Sequence, residues 1–169
     1  MSTDNLPHTA ADNPSPHPDL ADAACTLCEQ PGGTLIWRND RMRVVLVDEP
    51  NLPGYTRVIW HRHVREMSDL SPECQHEIMR TVFCIEAVQR TVLQAEKVNL
   101  ASLGNMTPHL HWHVIPRWEA DPWYPDSIWT DSAIAHHQRG ETWRTRAQAR
   151  AQALPVYLAA LEPALRRLP

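Results

Sequence analysis

No stretch of this chain approaches the run of apolar residues that a membrane-spanning helix requires, so no membrane partner is expected. The first residues also lack a basic segment followed by an apolar one. Asp4, Asp12 and several prolines stand there instead, which speaks against a secretory leader and for a cytoplasmic protein. Basic clusters are missing too. With a net charge of −4, general affinity for a nucleic-acid backbone has no electrostatic support, and any nucleotide partner is expected to be small. Residues 1–22 have almost nothing apolar and bulky among their Pro, Asp, Asn, Ser and Ala, so they read as a flexible N-terminal arm. There are no internal repeats.

What remains is long enough, at 169 residues in all, for one conventional core. Thr34 to Arg38 and Arg43 to Asp48 are β-rich runs separated by the turn signal Asn39-Asp40, which predicts a hairpin. Tyr55 to Trp60 follows a Pro- and Gly-containing break and gives a third strand. Ser71-Pro72-Glu73 combines an N-cap, a first-turn proline and an acid at the positive end of the dipole, so a helix starts there. Ile78, Val82, Ile85, Val88 and Val92 make one apolar stripe that carries it to about Ala95 and lays it on a sheet. Val98 to Leu103 is a fourth strand and Leu110 to Pro116 a fifth, with Gly104 to Pro108 looping between them. Glu141 to Ala153 and Val156 to Arg167 have good helix propensity and are interrupted at Pro155, which predicts a kinked or paired C-terminal helix.

Four cysteines, Cys25, Cys28, Cys74 and Cys84, would stay reduced in a cytosolic protein. Cys74 and Cys84 fall in the long helix and read as small packing residues. Cys25-Thr26-Leu27-Cys28 has the spacing that lets two thiolates clasp one metal.

The fifth strand carries the most informative pattern. His109, His111 and His113 recur with period two, so in a strand they share one face, while Leu110, Trp112 and Val114 share the other and pack into a core. The element order and the segment His109-Leu110-His111-Trp112-His113-Val114-Ile115-Pro116-Arg117 resemble the histidine triad family of nucleotide hydrolases and transferases. The resemblance runs from about Cys25 to Arg117 through Gly54-Tyr55-Thr56-Arg57-Val58-Ile59, His63 and the Asn99 to Asn105 segment. It implies an α+β fold: a five-stranded antiparallel sheet with one long helix packed on it, plus C-terminal helices. The domain would occupy residues 23–130 and a C-terminal helical extension residues 131–169.

The resemblance further implies catalytic roles for His111 as nucleophile and His113 at the α-phosphate or leaving group. Asn99, Gly104 and Asn105 would join His113 in binding the phosphate of the substrate. An imidazole near its ordinary pKa is largely neutral at pH 7 and offers an in-plane lone pair to phosphorus, which suits this chemistry. Substrates would be dinucleoside polyphosphates such as diadenosine tetraphosphate, or nucleoside phosphoramidates. A homodimer is implied as well. In a subset of the family a structural zinc is bound, and here Cys25, Cys28, His63 and His109 make the matching Cys2His2 set, with His61 a competing ligand two residues from His63.

Departures from the family pattern are expected to touch the rim more than the nucleophile. Met106 stands where relatives have Ser or Thr, and Tyr55 and Trp60-His61 replace the commoner His and Pro-Lys. Trp118, Trp123, Tyr124 and Trp129 are expected mainly to fill the core, with stacking on a nucleobase or a dimer contact as alternatives. Two rival readings stay open beside covalent catalysis: a hydrolase whose histidine row holds a catalytic zinc, and a zinc-stabilised nucleotide-binding module with little turnover.

Overall fold

The computed structural model describes residues 25–130 and 140–169, apart from a few side chains near the start of the latter segment. The expected N-terminal arm lies outside the described residues. A short helical turn, α1 (Thr26–Glu29), leads into the hairpin β1 (Thr34–Arg38) and β2 (Met42–Leu46). Asn39 makes the turn as its dipeptide predicts: its side-chain oxygen accepts from the backbone N–H groups of Arg41 at 2.9 Å and Met42 at 2.8 Å. Then come β3 (Thr56–Trp60), α2 (Pro72–Val92), β4 (Lys97–Ala101), β5 (His111–Arg117), α3 (Gly140–Gln152) and α4 (Leu154–Arg166). The five strands are all antiparallel in the order β1-β2-β3-β5-β4, which is the expected sheet.

Helix α2 begins as its sequence dictates, with the Ser71 side chain accepting from Cys74 N–H and Pro72 at the first position. It stops at Val92, short of the expected Ala95, because Gln94 takes a positive φ of 53°. Ile78, Val82 and Ile85 are fully buried against the sheet, and each such side chain contributes roughly 1.5–3 kcal/mol through removal from water. The C-terminal segment is a pair of helices parted at Ala153, as the interruption at Pro155 predicts. Pro155 sits in the first turn of α4, where its missing N–H costs nothing. Tyr157, Leu161 and Leu165 of α4 join the same core as α2 and the sheet, and the Tyr157 hydroxyl lies 2.8 Å from that of Thr56.

Register sorts the strands into two faces. Val44 pairs with Val58, Val58 with Trp112, and Leu100 with Val114, and all of these pack under the helices. On the opposite face, Arg57 pairs with His113 and Ile59 with His111. Gln89 of α2 reaches through the packing layer, where its side-chain amide donates to the carbonyls of Gly54 at 2.9 Å and Val114 at 3.0 Å. That couples the entry to β3 with the middle of β5. Gly54 itself has φ of +89°, and a Cβ there would stand 2.2 Å from Leu93 Cδ1, so only glycine lets the chain turn into β3 this close to the helix.

Candidate active site and metal cluster

His109 precedes β5 and His111 and His113 lie within it, all three on the face away from α2 and all buried. Hydrogen-bond partners assign each ring a tautomer, because a backbone carbonyl can only accept. His109 Nε2 stands 2.7 Å from the Trp60 carbonyl and therefore carries the proton, leaving the Nδ1 lone pair free. That lone pair points to Cys25 Sγ and Cys28 Sγ, each at 3.4 Å. His111 is wired the other way round. Its Nδ1 lies 2.6 Å from the His109 carbonyl and donates there, so Nε2 holds the bare lone pair. Burial pushes the pKa of His111 down, and neighbouring Arg57 adds to the shift, which keeps the ring neutral and nucleophilic at pH 7.

His113 meets His111 edge-on, with ring centres 4.7 Å apart. Its Nδ1 receives the Tyr55 hydroxyl, and Arg57 Nε donates to the same atom from 3.4 Å. An arginine has no lone pair to offer, so Nδ1 is the acceptor and the ring proton sits on Nε2. Burial, then the charges of His111 and Arg57, pull this pKa down to about 3. His113 is thus a neutral N–H donor. The indole of Trp129, half-exposed, stands over it with ring centres 5.1 Å apart.

The four predicted metal ligands come together. One ligand atom each from Cys25, Cys28, His63 and His109 lies within 4.8 Å of the others, and His63 Nδ1 is 3.4 Å from Cys28 Sγ. Tetrahedral zinc with ordinary bond lengths would place sulfur and nitrogen roughly 3.6 Å apart, so the spacing fits such an ion. The thiols fit it too. Burial, then the hydrogen bond and charge of Cys25, raise the Cys28 pKa, so its thiolate is disfavoured without a cation beside it. Arg43 fastens this corner by donating to the carbonyls of Leu27, Gln30 and Pro31. His61, the competing ligand, lies outside the cluster and bonds toward the Asp40 backbone. Among the described residues, no such cluster includes His111 or His113.

Asn99 pairs with Ile115 on the histidine face, and its side-chain oxygen accepts from Arg117 Nη1 at 2.7 Å. That leaves the amide N–H groups for another acceptor. Arg117 is itself buried and held by Asp121 at 2.6 Å. Gly104 is half-buried and Asn105 exposed on the loop before His109, and among the described residues neither bonds to the histidine rings. Met106 is 97 % exposed on the same loop. Of the loop aromatics, Trp118 is fully buried, and Trp123 packs by Leu52, Tyr55 and Ile115. Trp129 reaches His113.

Tyr55 corrects the expectation drawn from its position in the chain. It is not a rim residue: it is buried and bonded to His113. Arg57 is a site residue that sequence reasoning misses. Alternation places both residues on one face of β3, yet pairing them with His113 requires the cross-strand register, which no local pattern contains.

A row of histidines with fixed tautomers on the open face of a helix-backed antiparallel sheet places this molecule among the small α+β histidine proteins. The chain belongs to the HIT domain family, whose model matches residues 29–120. It is 30% identical over 97 residues to the asymmetrical bis(5'-nucleosyl)-tetraphosphatase of Schizosaccharomyces pombe, covering 54% of this chain and 53% of that one. It is 32% identical over 95 residues to the AP-4-A phosphorylase of Mycobacterium tuberculosis, covering 53% of this chain and 49% of that one. The chain therefore spans about half the length of these two enzymes. A histidine triad protein from Marinobacter aquaeolei VT8 shares the fold, with a TM-score of 0.56 at 21% identity over 73% of this chain and 92% of that one. Among the described residues no helix is long and apolar enough to cross a membrane.

Proposed function

We propose that this protein is a nucleotide hydrolase or nucleotidyl transferase that works through a covalent nucleotidyl-His111 intermediate. The observation that carries this reading is the tautomer of His111: the His109 carbonyl holds the proton on Nδ1, so the bare Nε2 is available for in-line attack. Nε2 forms a bond to the α-phosphorus while the bond from phosphorus to the leaving group breaks, its electron pair departing with that group. His113 donates its Nε2–H toward the phosphate and leaving group. Water or another acceptor then attacks the phosphorus, the N–P bond breaks, the lone pair returns to His111, and one proton is released from the acceptor.

Asn99, Gly104 and Asn105 complete the phosphate pocket in this reading, with Asn99 supported by the free amide N–H groups that its bond to Arg117 leaves. Substrates are small nucleotides of the dinucleoside polyphosphate kind, in keeping with the two enzymes it resembles. Cys25, Cys28, His63 and His109 hold a structural zinc, which ties the N-terminal turn to the sheet; four protein ligands fill its shell. Incubation with α-labelled diadenosine tetraphosphate should leave an acid-labile adenylate on wild type and none on His111→Ala, read by intact mass. Tight binding with no adduct and no turnover would make the protein a binding module instead.

A further inference from the structure

Arg57 is a half-buried cation without a counter-charge. It forms no ion pair among the described residues, and its hydrogen bonds to His113 Nδ1 and to the Gly32 carbonyl are both long at 3.4 Å and both to neutral acceptors. Its guanidinium lies 5.7 Å from the centre of the Tyr55 ring, again a neutral group. A side-chain hydrogen bond to Tyr55 adds a further neutral partner, and its five N–H donors are not all committed. Arg117, by contrast, is met by Asp121 and Asn99, and Arg43 by three carbonyls. A guanidinium drawn partly out of water and left uncompensated is unfavourable unless an anion arrives to meet it. Arg57 pairs with His113 across the ladder and so stands on the face where the substrate binds.

We infer that Arg57 recognises the phosphate chain of the leaving group, which makes the substrate class a phosphoanhydride, a nucleotide joined to an anionic polyphosphate, rather than a phosphoramidate. This rests on the covalent His111 reading, in which His113 serves the departing group, for Arg57 is the cation beside His113. When the P–O bond of an anhydride breaks, negative charge grows on the departing phosphate oxygens, and a fixed guanidinium stabilises it. An amine departing from a phosphoramidate develops no such charge. The cation offers it nothing.

The test compares kcat/KM for diadenosine tetraphosphate and for an adenosine phosphoramidate with an uncharged amine leaving group, in wild type, Arg57→Leu and Arg57→Lys. Arg57→Leu should lower the anhydride-to-phosphoramidate ratio about 30-fold, the size expected when a charge-assisted hydrogen bond is lost, and Arg57→Lys should restore part of it. A ratio that does not move, with both substrates falling together, would overturn the inference, as would a wild type that prefers the phosphoramidate. Inorganic tripolyphosphate gives a second arm that needs no turnover. Its binding, measured by calorimetry, should weaken about tenfold or more in Arg57→Leu. Unchanged binding counts against Arg57 whatever the enzyme does. Absence of the His111 adduct with tripolyphosphate binding still dependent on Arg57 would instead remove the covalent reading and keep the anion site.

Discussion

His109 and His111 are two residues apart on one strand face, yet their rings are oriented in opposite senses. His109 gives its Nε2 proton to the Trp60 carbonyl and turns Nδ1 toward two thiols, whereas His111 gives its Nδ1 proton to the His109 carbonyl and keeps Nε2 bare. The identity of the side chain does not separate the two rings. A single backbone acceptor does, by deciding which nitrogen keeps its lone pair. At one end Cys25, Cys28, His63 and His109 form a cluster that could hold a metal ion, and at the other Tyr55 and Arg57 both bond to the ring of His113.

The strongest way to break this contrast is His111→Ala. Turnover should fall about a thousandfold or more, with the melting temperature and metal content nearly those of wild type. A substantial residual rate would mean the nucleophile lies elsewhere. Asp121→Asn attacks the buried ion pair behind Asn99. It strands the buried Arg117 guanidinium, which also holds Asn99, and should cost about 3–5 kcal/mol in chemical denaturation. A loss under about 1 kcal/mol would show the pair to be marginal.

Cys25→Ser strikes the metal end alone. Bound zinc, measured by elemental analysis, should drop, and Tm should fall by roughly 6–12 °C, the shift that about 3 kcal/mol gives in a chain of this size. Unchanged zinc and melting would remove the metal from the description. Tyr55→Phe strikes the reaction end alone. The buried hydroxyl is lost while the ring packing stays, so kcat/KM should fall about tenfold with zinc content intact. An unaltered rate would make the Tyr55–His113 bond incidental. Met106→Ala closes the series as the smallest effect: within about 0.5 kcal/mol of wild type and with activity conserved, since the side chain is 97 % exposed.

Much of the fold and of the site is legible in the amino-acid sequence. The histidine period, the alternating Leu110, Trp112 and Val114, and the Ser71-Pro72 start of α2 are local signals, and local signals survive folding when packing agrees with them. Pro155 marks the break between the paired C-terminal helices, since proline is tolerated in a first turn and not in a helix interior, so the second helix starts just before it. Tyr55 and Arg57 acquire their meaning only from residues more than fifty positions away. Family resemblance alone favours His63 over His61 in the sequence, and the ring directions that decide between them follow from the turn beyond β3.

Gln89 has a consequence of a different kind. Side chains on a strand alternate, so which face a residue meets depends on whether its place is odd or even, and a slip of one position would turn His111 and His113 toward the helices and Trp112 away from them. The Gln89 amide bonds Gly54 and Val114 at once and so measures β5 against the entry to β3. It acts as a gauge of parity. One amide, out of contact with solvent, keeps the imidazoles on the face away from the helices.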